Sequence, residues 1–578
     1  MPAAVTRRPT AAAHLDRALG APLDERLAGS FRASVDADRQ ERFPHELCQE
    51  ALDWGMAEHL IPQEQGGSLR SLEECFALSR TLSRRDLTAT VALGANLLAG
   101  LPVWLAGTAE QKDTLAGLLR GGRFLSFALS EEEHGSDVLE TGVTARRTAS
   151  GWRVDGTKWS INNAGHASGA TVTARTGDGV RGLTLFLLTR DRAGAGQWAP
   201  LPKLRTHGLR GSAFGGIAFS ELEARDADVV GRPGQGLEIL LHTLQVTRVL
   251  VASFALGALD TCLAAAGSFA RSRRLYDAPI AELEPVARRL SDAYAELQVG
   301  EALAQAACRV AQVRPEQLPL MSACVKYLVP RLANDSIESL SVVLGARSYL
   351  AGGLWHGIVE KMRRDCAVTA LFDGSAPVNL GVIADHLPAL AHARACDEVD
   401  DLPAAVFAAS ADDLPWLDDD DLELVTASDA VHPGLAATRE ALRRDGHPVA
   451  HRGELLDLVV WCEAETARVD DEVRRSAGSA AWRRGGAAYD LAARYSHLHA
   501  AAACASRWLA RREESTDPFV TSGAWLVLCL RRLVGRLRPG PAPVDDVDRA
   551  ALARLGETPG PEQWSDHDAL REDGGRGT

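Results

Sequence analysis

The stretch R-F-L-S-F-A-L-S-E-E-E-H-G-S-D at residues 123–137 is where the pattern of this sequence changes. Across residues 31–120, before it, apolar residues recur at the three- and four-residue spacing of helices that bury one face. Within it, Phe124–Leu129 is a short apolar run typical of a buried strand, and the run ends at the hydroxyl residue Ser130. We therefore expect a helical domain over residues 31–120 and the start of a sheet domain at residue 121.

Short strand-like runs continue as far as Phe219, at residues 143–147, 152–154, 170–174, 183–188 and 217–219. Ser150–Gly151 and Asp155–Gly156 are predicted to form tight turns between them. Strands this short, joined by turns, favour an antiparallel sheet. Residues 121–235 are therefore predicted to be a middle β-domain.

Helical spacing returns in long segments over residues 236–395, with interruptions near Pro315 and Pro319. The order of helices, strands and helices indicates an α+β protein and not alternating βαβ units. The segment G-D-G-V-R-G at residues 177–182 matches a dinucleotide fingerprint by its letters, but it leads into a strand. Because that fingerprint needs a helix N-terminus after the glycines, we interpret the segment as a hairpin loop.

The two ends of the chain are predicted to lie outside this core. Residues 1–30 are predicted to be a flexible tail. Between Ala395 and Thr438 there are 12 acidic residues and no lysine or arginine, so residues 396–453 are predicted to be a solvated acidic linker. Residues 454–578 contain three strong helix candidates, at 454–475, at 486–513 and from Asp517–Pro518, and are predicted to be an additional α-helical domain.

Composition limits the function. With 578 residues, 46% apolar and 24% charged, the chain is globular and long enough for two to four domains. A net charge of −14 argues against a nucleic-acid partner. No unbroken apolar run approaches the roughly 18–20 residues of a membrane span, and the N-terminus lacks a secretory pattern. The ten cysteines form no C-x-x-C pair and the 16 histidines show no metal-ligand spacing, so we expect a cytoplasmic protein without a metal site.

Six segments carry the functional signal. They read F-A-L-S-E-E-E-H-G-S-D at 127–137, G-T-K-W-S-I-N-N-A at 156–164, G-L-R-G-S-A-F-G-G-I-A-F at 208–219, R-S-R-R-L-Y-D-A-P-I at 271–280, R-R-D at 363–365 and L-F-D-G-S at 371–375. In this order, over roughly Glu41 to Leu390, the chain resembles the acyl-CoA dehydrogenase family. The resemblance implies an N-terminal helical domain, a middle β-domain and a C-terminal four-helix bundle, followed here by the additional helical domain.

The resemblance also implies FAD as cofactor and a homodimer or homotetramer that oxidises an acyl thioester between its α and β carbons. The carrier of the acyl group would be coenzyme A or an acyl-carrier protein, and the electron acceptor an electron-transfer flavoprotein or oxygen. It assigns FAD contacts to Leu129, Ser130, Gly135, Ser136, Ser160, Ile161, Asn162, Arg273, Tyr276, Gly345 and Ser375. Arg273 would contact the pyrophosphate, from the neighbouring subunit if the family arrangement holds.

Departures from the family pattern indicate a divergent branch, of the type found in actinobacterial natural-product pathways. Ser160 stands where the family has an aromatic residue beside the flavin, and Glu284 stands where it has a glutamine. The resemblance places the catalytic base at Asp373, in place of the family's glutamate. Thr247, which precedes Arg248, occupies the other position where relatives carry a base, and it has no carboxylate. Substrate contacts would involve Ser136, Arg248 and Gly374.

Three functions remain open at this point. The first is FAD-dependent dehydrogenation of an acyl thioester, in natural-product or specialised acyl metabolism. The second is a flavin oxidase or monooxygenase on the same fold, because an aspartate base suits removal of an acidic proton from a small nitrogen-containing substrate and space near Ser160 would admit oxygen. The third is an inactive relative that only binds an acyl carrier. We also expect a chain ending near Leu390 to retain FAD without the additional domain.

Overall fold

The computed structural model describes residues 10–135, 137–396, 407, 417, 421–444, 449–479, 482, 486–513, 515–540 and 543–557. The first part is helical. Its helices are α1 (Ala11–Leu19), α2 (Phe31–Arg39), α3 (His45–Trp54), α4 (Leu72–Ser83), α5 (Leu87–Ala106) and α6 (Ala109–Arg120). Side chains of Thr10, Ser30, Ser71, Asp86 and Thr108 accept hydrogen bonds at the N-termini of α1, α2, α4, α5 and α6.

The prediction of a flexible tail is wrong for residues 10–30. Leu15 of α1 is completely buried, and Asp16 forms an ion pair with Arg85 inside the protein. A charged pair without solvent contact is held in place by the packing around it, so α1 belongs to the helical domain. Ten of the 21 residues from Thr10 to Ser30 are alanine or leucine, and the buried ones among them fasten the segment.

The middle part is a β-domain. Its strands are β1 (Phe124–Ala128), β2 (Thr144–Thr148), β3 (Gly151–Ile161), β4 (Ala167–Arg175), β5 (Leu183–Thr189), β6 (Trp198–Pro200), β7 (Gly215–Ala224) and β8 (Val229–Val230). They pair in the order β6-β7-β3-β2-β4-β5-β8, mostly antiparallel, with β1 added beside β4 in parallel. The loop at residues 177–182 joins β4 to β5, as expected of a hairpin.

The predicted turn at Asp155–Gly156 is wrong. Both residues lie inside β3, where the pairing with β7 shifts register between Val154 and Gly156. Gly156 has φ of +127°, a conformation that side chains disfavour, so the glycine permits a bulge and not a chain reversal. β3 therefore runs on as one long strand that ends beside β1.

The third part is the helical bundle. It comprises α7 (Gly236–Ser272), the hairpin strands β9 (Arg274–Leu275) and β10 (Ala278–Pro279), α8 (Glu284–Val313), α9 (Leu318–Leu344), α10 (Ile358–Cys366) and α11 (Ala376–Ala395). The long helices α7, α8, α9 and α11 form the four-helix bundle. α8 ends just before Pro315 and α9 has Pro319 in its first turn, which explains the predicted interruption.

Two of these helices, α5 and α7, are long and apolar enough to cross a membrane by length and composition alone. Most residues of the apolar window are buried inside the protein, 83% in α5 and 94% in α7. Packing in the core therefore accounts for their apolar character. Nine of the ten cysteines are likewise buried and unpaired, and Cys396 is exposed.

The C-terminal extension, by which we mean the described residues from 421 onward, is helical. Its helices are α12 (Gly434–Arg444), α13 (Arg452–Ser476), α14 (Gly486–Arg511), α15 (Pro518–Thr521), α16 (Ala524–Leu537) and α17 (Asp546–Glu557). They continue the apolar core of the bundle as a single cluster, chiefly through α8 and α11. Ion pairs join the two parts at Arg507–Glu301 (2.7 Å) and Arg394–Asp470 (2.6 Å).

The prediction of a solvated acidic linker is only partly correct where the structure describes it, because exposed and buried residues alternate there. Phe407, Leu417 and Leu422 are buried despite the surrounding carboxylates, and residues 434–444 form α12. Residues 397–406, 408–416, 418–420 and 445–448 of this segment lie outside the described residues. The charge run hid apolar residues at irregular spacing, so a periodicity argument could not detect this packing.

A buried polar cluster around Asp429 fastens the extension to the bundle. Its carboxylate accepts a hydrogen bond from the Tyr495 hydroxyl and lies 2.8 Å from His499 Nδ1, while His499 Nε2 lies 2.9 Å from Met321 Sδ on α9. Next to it, Gln317 accepts a hydrogen bond from the Ala430 N–H at 2.6 Å. Although burial works to raise it, the pKa of Asp429 is held well below its usual range by the charge and hydrogen bond of His499.

Acid should weaken this attachment. Burial, reinforced by the positive charge of Arg394, lowers the pKa of His432 from 6.5 to about 4, so the fold favours its neutral form. A histidine with a lowered pKa contributes stability that is complete above about pH 6.5 and is lost as pH falls towards 4. We expect the free energy of unfolding to fall over this window by about 1.4 kcal/mol per pH unit for each proton taken up on unfolding.

Urea denaturation at several pH values between 4.5 and 7.5 measures this dependence. His432→Gln should flatten it by close to one proton, whereas His14→Gln, at an exposed position of α1, should leave it unchanged. Equal slopes for the wild type and His432→Gln would contradict the assignment. His386 and His497, whose pKa values burial also lowers, will keep the remaining slope above zero.

Candidate active site

The loop at residues 371–375 connects the end of the α10 region to α11 and presents Asp373. Asp373 has φ of +54°, a left-handed conformation that aspartate tolerates better than most residues, and Gly374 follows with φ of +99°. Two side chains hold the loop by its carbonyl groups. Arg248 Nε of α7 donates to the Asp373 carbonyl at 3.1 Å, and Asn379 Nδ2 of α11 donates to the carbonyls of Gly374 (2.9 Å) and Ser375 (3.0 Å). The structure thus brings together four of the predicted residues, Arg248, Asp373, Gly374 and Ser375.

The half-buried carboxylate of Asp373 lies among cations. Burial raises its pKa above the ordinary 3.8, while Lys326, the Thr247 hydroxyl and Arg248 act in the opposite direction. Burial also lowers the pKa of Arg248, and it lowers the pKa of Lys326 from 10.5 to about 8. A carboxylate with a raised pKa is a stronger base than an ordinary aspartate, which is what proton abstraction from carbon needs.

Lys326 is a residue that the sequence analysis missed. It is 2% exposed on α9, and its ammonium donates to the Thr369 carbonyl at 2.8 Å and lies 5.7 Å from the centre of the Phe372 ring. One signal was available in the sequence. The chain has only five lysines, and a lysine that is buried needs charge or hydrogen-bond partners nearby. Three of the five, Lys158, Lys326 and Lys361, are 2% exposed or less.

A second group of predicted residues meets where β1 and β3 end. Lys158, fully buried on β3, donates to the Leu129 carbonyl (2.9 Å) and to the Glu131 carboxylate (2.7 Å), and the Trp159 N–H donates to the Ser130 carbonyl (2.9 Å). Burial lowers the pKa of Lys158 to about 8. Burial works to raise the pKa of Glu131, but the charge of Lys158 holds that pKa at about 2. This ion pair fixes the turn after Ser130, and with it the direction in which Leu129 and Ser130 face.

Ser160, Ile161 and Asn162 lie at the far end of β3, beside this turn. Ser160 is exposed with φ of +56°, and Ile161 is buried. The Asn162 carbonyl accepts a hydrogen bond from Ser126 Oγ at 2.7 Å, but its buried side-chain Oδ1 has no partner among the described residues. An orphaned buried polar atom is uncommon, and it fits a cofactor with hydrogen-bonding groups at this strand end. Ser136 is outside the described residues, and Gly135 has open space where a side chain would be.

Helix α5 joins these two groups. Asn163 Nδ2, next to Asn162, donates to the Ala92 carbonyl of α5 at 2.8 Å. Two residues further along α5, a Cβ on Gly94 would lie 3.0 Å from the ring of Phe254 on α7, and that ring is 6.4 Å from the Phe372 ring. The strand ends thus contact α5 directly, and the catalytic loop approaches the same stretch of α5 through Phe254.

Arg273, Tyr276 and Gly345 form a third, exposed group. Arg273 follows α7, Tyr276 is 90% exposed in the β9–β10 hairpin, and Gly345 ends α9. Arg347, just after Gly345, lies 5.2 Å from the Phe269 ring near the end of α7, which places this group at one end of the bundle. Because α7 rises 1.5 Å per residue, Arg273 is about 37 Å along the helix from Arg248. One chain does not bring this group to the catalytic loop.

No cluster of three or more histidine, cysteine or acidic side chains suited to a metal ion occurs in the part of the chain that the structure describes.

Comparisons with known proteins agree with this geometry. Family models of the N-terminal, middle and C-terminal domains of acyl-CoA dehydrogenase match residues 26–122, 126–222 and 234–387. The human mitochondrial short-chain specific acyl-CoA dehydrogenase is 28% identical over 365 residues, 62% of this chain and 86% of that protein.

Solved structures agree in fold. An acyl-CoA dehydrogenase from Bacillus anthracis, complexed with FAD, superposes with a TM-score of 0.70 at 16% identity, covering 97% of this chain and 94% of its own. The prolyl acyl carrier protein oxidase AnaB has a TM-score of 0.57 at 23% identity, covering 61% of this chain and 93% of its own. At these identities the likeness concerns the fold, and the Bacillus anthracis structure shares it through the C-terminal extension as well.

Proposed function

This chain belongs to the acyl-CoA dehydrogenase family and is an FAD-dependent oxidoreductase, and from that premise we propose that Asp373 is the base that starts dehydrogenation of an acyl thioester. The observation that supports this is a carboxylate with a raised pKa, in a loop held from α7 and α11, with two buried cations nearby. In the reaction, the α-carbon loses a proton to Asp373 and a double bond forms between the α and β carbons. FAD, when bound, supplies the acceptor for the hydride that leaves the β-carbon.

The chain's own residues have separate tasks in this proposal. Arg248 and Asn379 fix the loop backbone so that the short aspartate side chain points in one direction. Lys326 and Arg248 keep Asp373 ionised before it accepts the proton. Leu129, Ser130, Ser160, Ile161 and Asn162 would hold the flavin at the strand ends, and the Lys158–Glu131 pair keeps those strand ends in position.

We also propose that a complete FAD site needs two chains. The third group of predicted residues, Arg273, Tyr276 and Gly345, is exposed at the end of the bundle that is distant from Arg248. There it is placed to reach the cofactor of a second copy. Exposed apolar side chains in this region, Leu275, Tyr276, Val342, Tyr349 and Leu350, support a homodimer or homotetramer. Analytical ultracentrifugation of the FAD-loaded protein tests this, and a monomer that retains FAD would refute it.

We further propose that the substrate is a specialised acyl group carried by coenzyme A or an acyl-carrier protein. We also propose that the protein acts in the cytoplasm. The aspartate in place of the family's glutamate supports a specialised acyl group, because a shorter base requires a site reshaped around its substrate. The solved acyl-carrier-protein oxidase with the same fold supports a carrier-bound acyl group as one form of this substrate. Electron-transfer flavoprotein and oxygen are both proposed as acceptors of the electrons.

Anaerobic mixing of the FAD-loaded protein with a panel of acyl-CoAs and acyl-carrier proteins tests the function. We expect at least one thioester to bleach the visible flavin band within seconds, because the base and the cofactor sit in one site. Fast reoxidation of the bleached protein by air, with a hydroxylated product, would indicate the oxidase or monooxygenase. No bleaching with any thioester would indicate an inactive relative and would overturn the proposal.

A further inference from the structure

The C-terminal extension contacts both elements that hold the catalytic loop. On one side, Gln245 Nε2 of α7 donates to the Glu423 carbonyl at 2.8 Å. On the other, the Tyr489 hydroxyl of α14 lies 3.5 Å from where a Cβ on Gly381 of α11 would be. Glu423 and Tyr489 both lie beyond residue 387, where the match to the family models ends. The extension therefore adds residues beside the catalytic loop from outside the part of the chain that the family models match.

The contact at Gln245 is close to the reacting carboxylate. Gln245 and Arg248 are three residues apart on α7, so they share one face of the helix and differ by about 4.5 Å along its axis. Arg248 is the residue that holds the Asp373 carbonyl. The segment around Glu423 thus reaches α7 within one helical turn of the catalytic loop.

The segment around Glu423 exposes apolar side chains, although the residues at its two ends are buried. Leu422 and Thr426 are buried on either side of it, whereas Leu424 is 38% exposed and Val425 is 73% exposed. Asp429, three residues after Thr426, fastens the segment through Tyr495 and His499. Because both ends are held, the exposed side chains stay beside α7.

We propose that Leu424, Val425 and Tyr489, here called the rim residues, form one wall of the acyl site and contact an apolar acyl chain. The proposal rests on the proposed function and deepens it by naming the class of acyl group. Single exposed apolar residues are normal on any surface. In the described extension, however, the large apolar side chains that are most exposed are the three rim residues and Val460, and the three rim residues gather beside α7 and α11. Their position, more than their exposure, indicates that they serve the substrate.

Charge substitutions at the rim test this on the full-length, FAD-loaded protein. Leu424→Asp and Val425→Asp are compared with the wild type. Val460→Asp, at an exposed position of α13, is the matched control. The rate constant for anaerobic flavin bleaching is measured with saturated acyl groups of four to sixteen carbons, on coenzyme A and in parallel on an acyl-carrier protein. FAD content and the thermal midpoint are measured for each variant to show that it is folded and loaded.

We expect the rim variants to lower the ratio of the long-chain to the short-chain rate constant by at least about tenfold, the usual scale for a lost apolar contact with a methylene group or more. Val460→Asp should change that ratio by less than about twofold. An unchanged ratio in both rim variants would overturn the proposal. An equal loss at every chain length would overturn it too, since the rim would then touch only the shared pantetheine. Failure of every thioester to bleach the wild type would overturn the proposed function, and the rim assignment with it.

Discussion

Replacing Asp373 by asparagine should slow flavin reduction by acyl thioester roughly 10³-fold, within the usual range for the loss of a general base. The asparagine has almost the same size, and Arg248 and Asn379 hold the loop through its backbone carbonyls, so FAD and substrate binding should persist. Stopped-flow bleaching of the flavin band, with binding followed separately by the spectral shift of the bound thioester, measures the two effects. Asp385→Asn, at an exposed position of the following helix, is the matched control.

The Asp373→Glu variant and the pH dependence sharpen this test. Glutamate keeps the acid and changes its reach by one carbon–carbon bond, about 1.5 Å, so measurable reduction should remain. Because burial raises the pKa of Asp373, the wild-type rate should fall with acid at a higher pH than an ordinary aspartate would give. An Asp373→Asn variant that turns over at the wild-type rate would place the base elsewhere or remove proton abstraction from the reaction.

A chain ending at Cys396, after α11, should fail to accumulate as a folded, flavin-loaded protein. The extension and the bundle share one apolar core, and its removal would uncover side chains on α8 that it now covers. Burying each large apolar side chain is worth about 1.5–3 kcal/mol, so the loss of several would be comparable with the 5–15 kcal/mol that stabilises a typical protein. The buried carboxylate of Glu296, held by Arg532 and Arg536 of α16, would also lose its partners.

This expectation replaces the one drawn from the sequence, in which the additional domain was dispensable for FAD. Expression of the shortened chain beside one ending at Glu557, followed by gel filtration and flavin absorbance, decides between the two. The chain ending at Glu557 keeps α17 and should behave as the wild type. Soluble, yellow protein from the shortened chain would show that the bundle folds without the extension.

The sequence was most informative where chemistry and local pattern coincide. The apolar residues Leu371 and Phe372 followed by Asp373–Gly374 predicted a turn that presents a carboxylate, and the structure has that turn. The strand end at Ser130 was predicted because a strand pattern and a family motif end together there, whereas Asn162 was assigned from the family motif alone. Both signals lie within a few residues of the site that they describe.

Long-range contacts were beyond such patterns. Lys326 lies in the middle of a buried helix, and only the folded chain brings it to Phe372 and Asp373. The packing of Leu417 and Leu422 was masked by the carboxylates around them, because charge patterning describes an isolated segment and not the surface it meets. The Asp155–Gly156 pair is compatible with either a turn or a bulge, and pairing with strand β7 decides between the two.

Helix α7 runs unbroken from Gly236 to Ser272, and it carries Arg248 about a third of the way along and is followed by Arg273 just past its C-terminal end. Under the two-chain arrangement proposed above, each such helix serves the cofactor of its own chain and that of its neighbour. Cofactor retention and subunit association then become a single linked equilibrium, in which each strengthens the other by the same factor. Dilution alone would loosen FAD, and a dinucleotide analogue that fills the site would hold the subunits together.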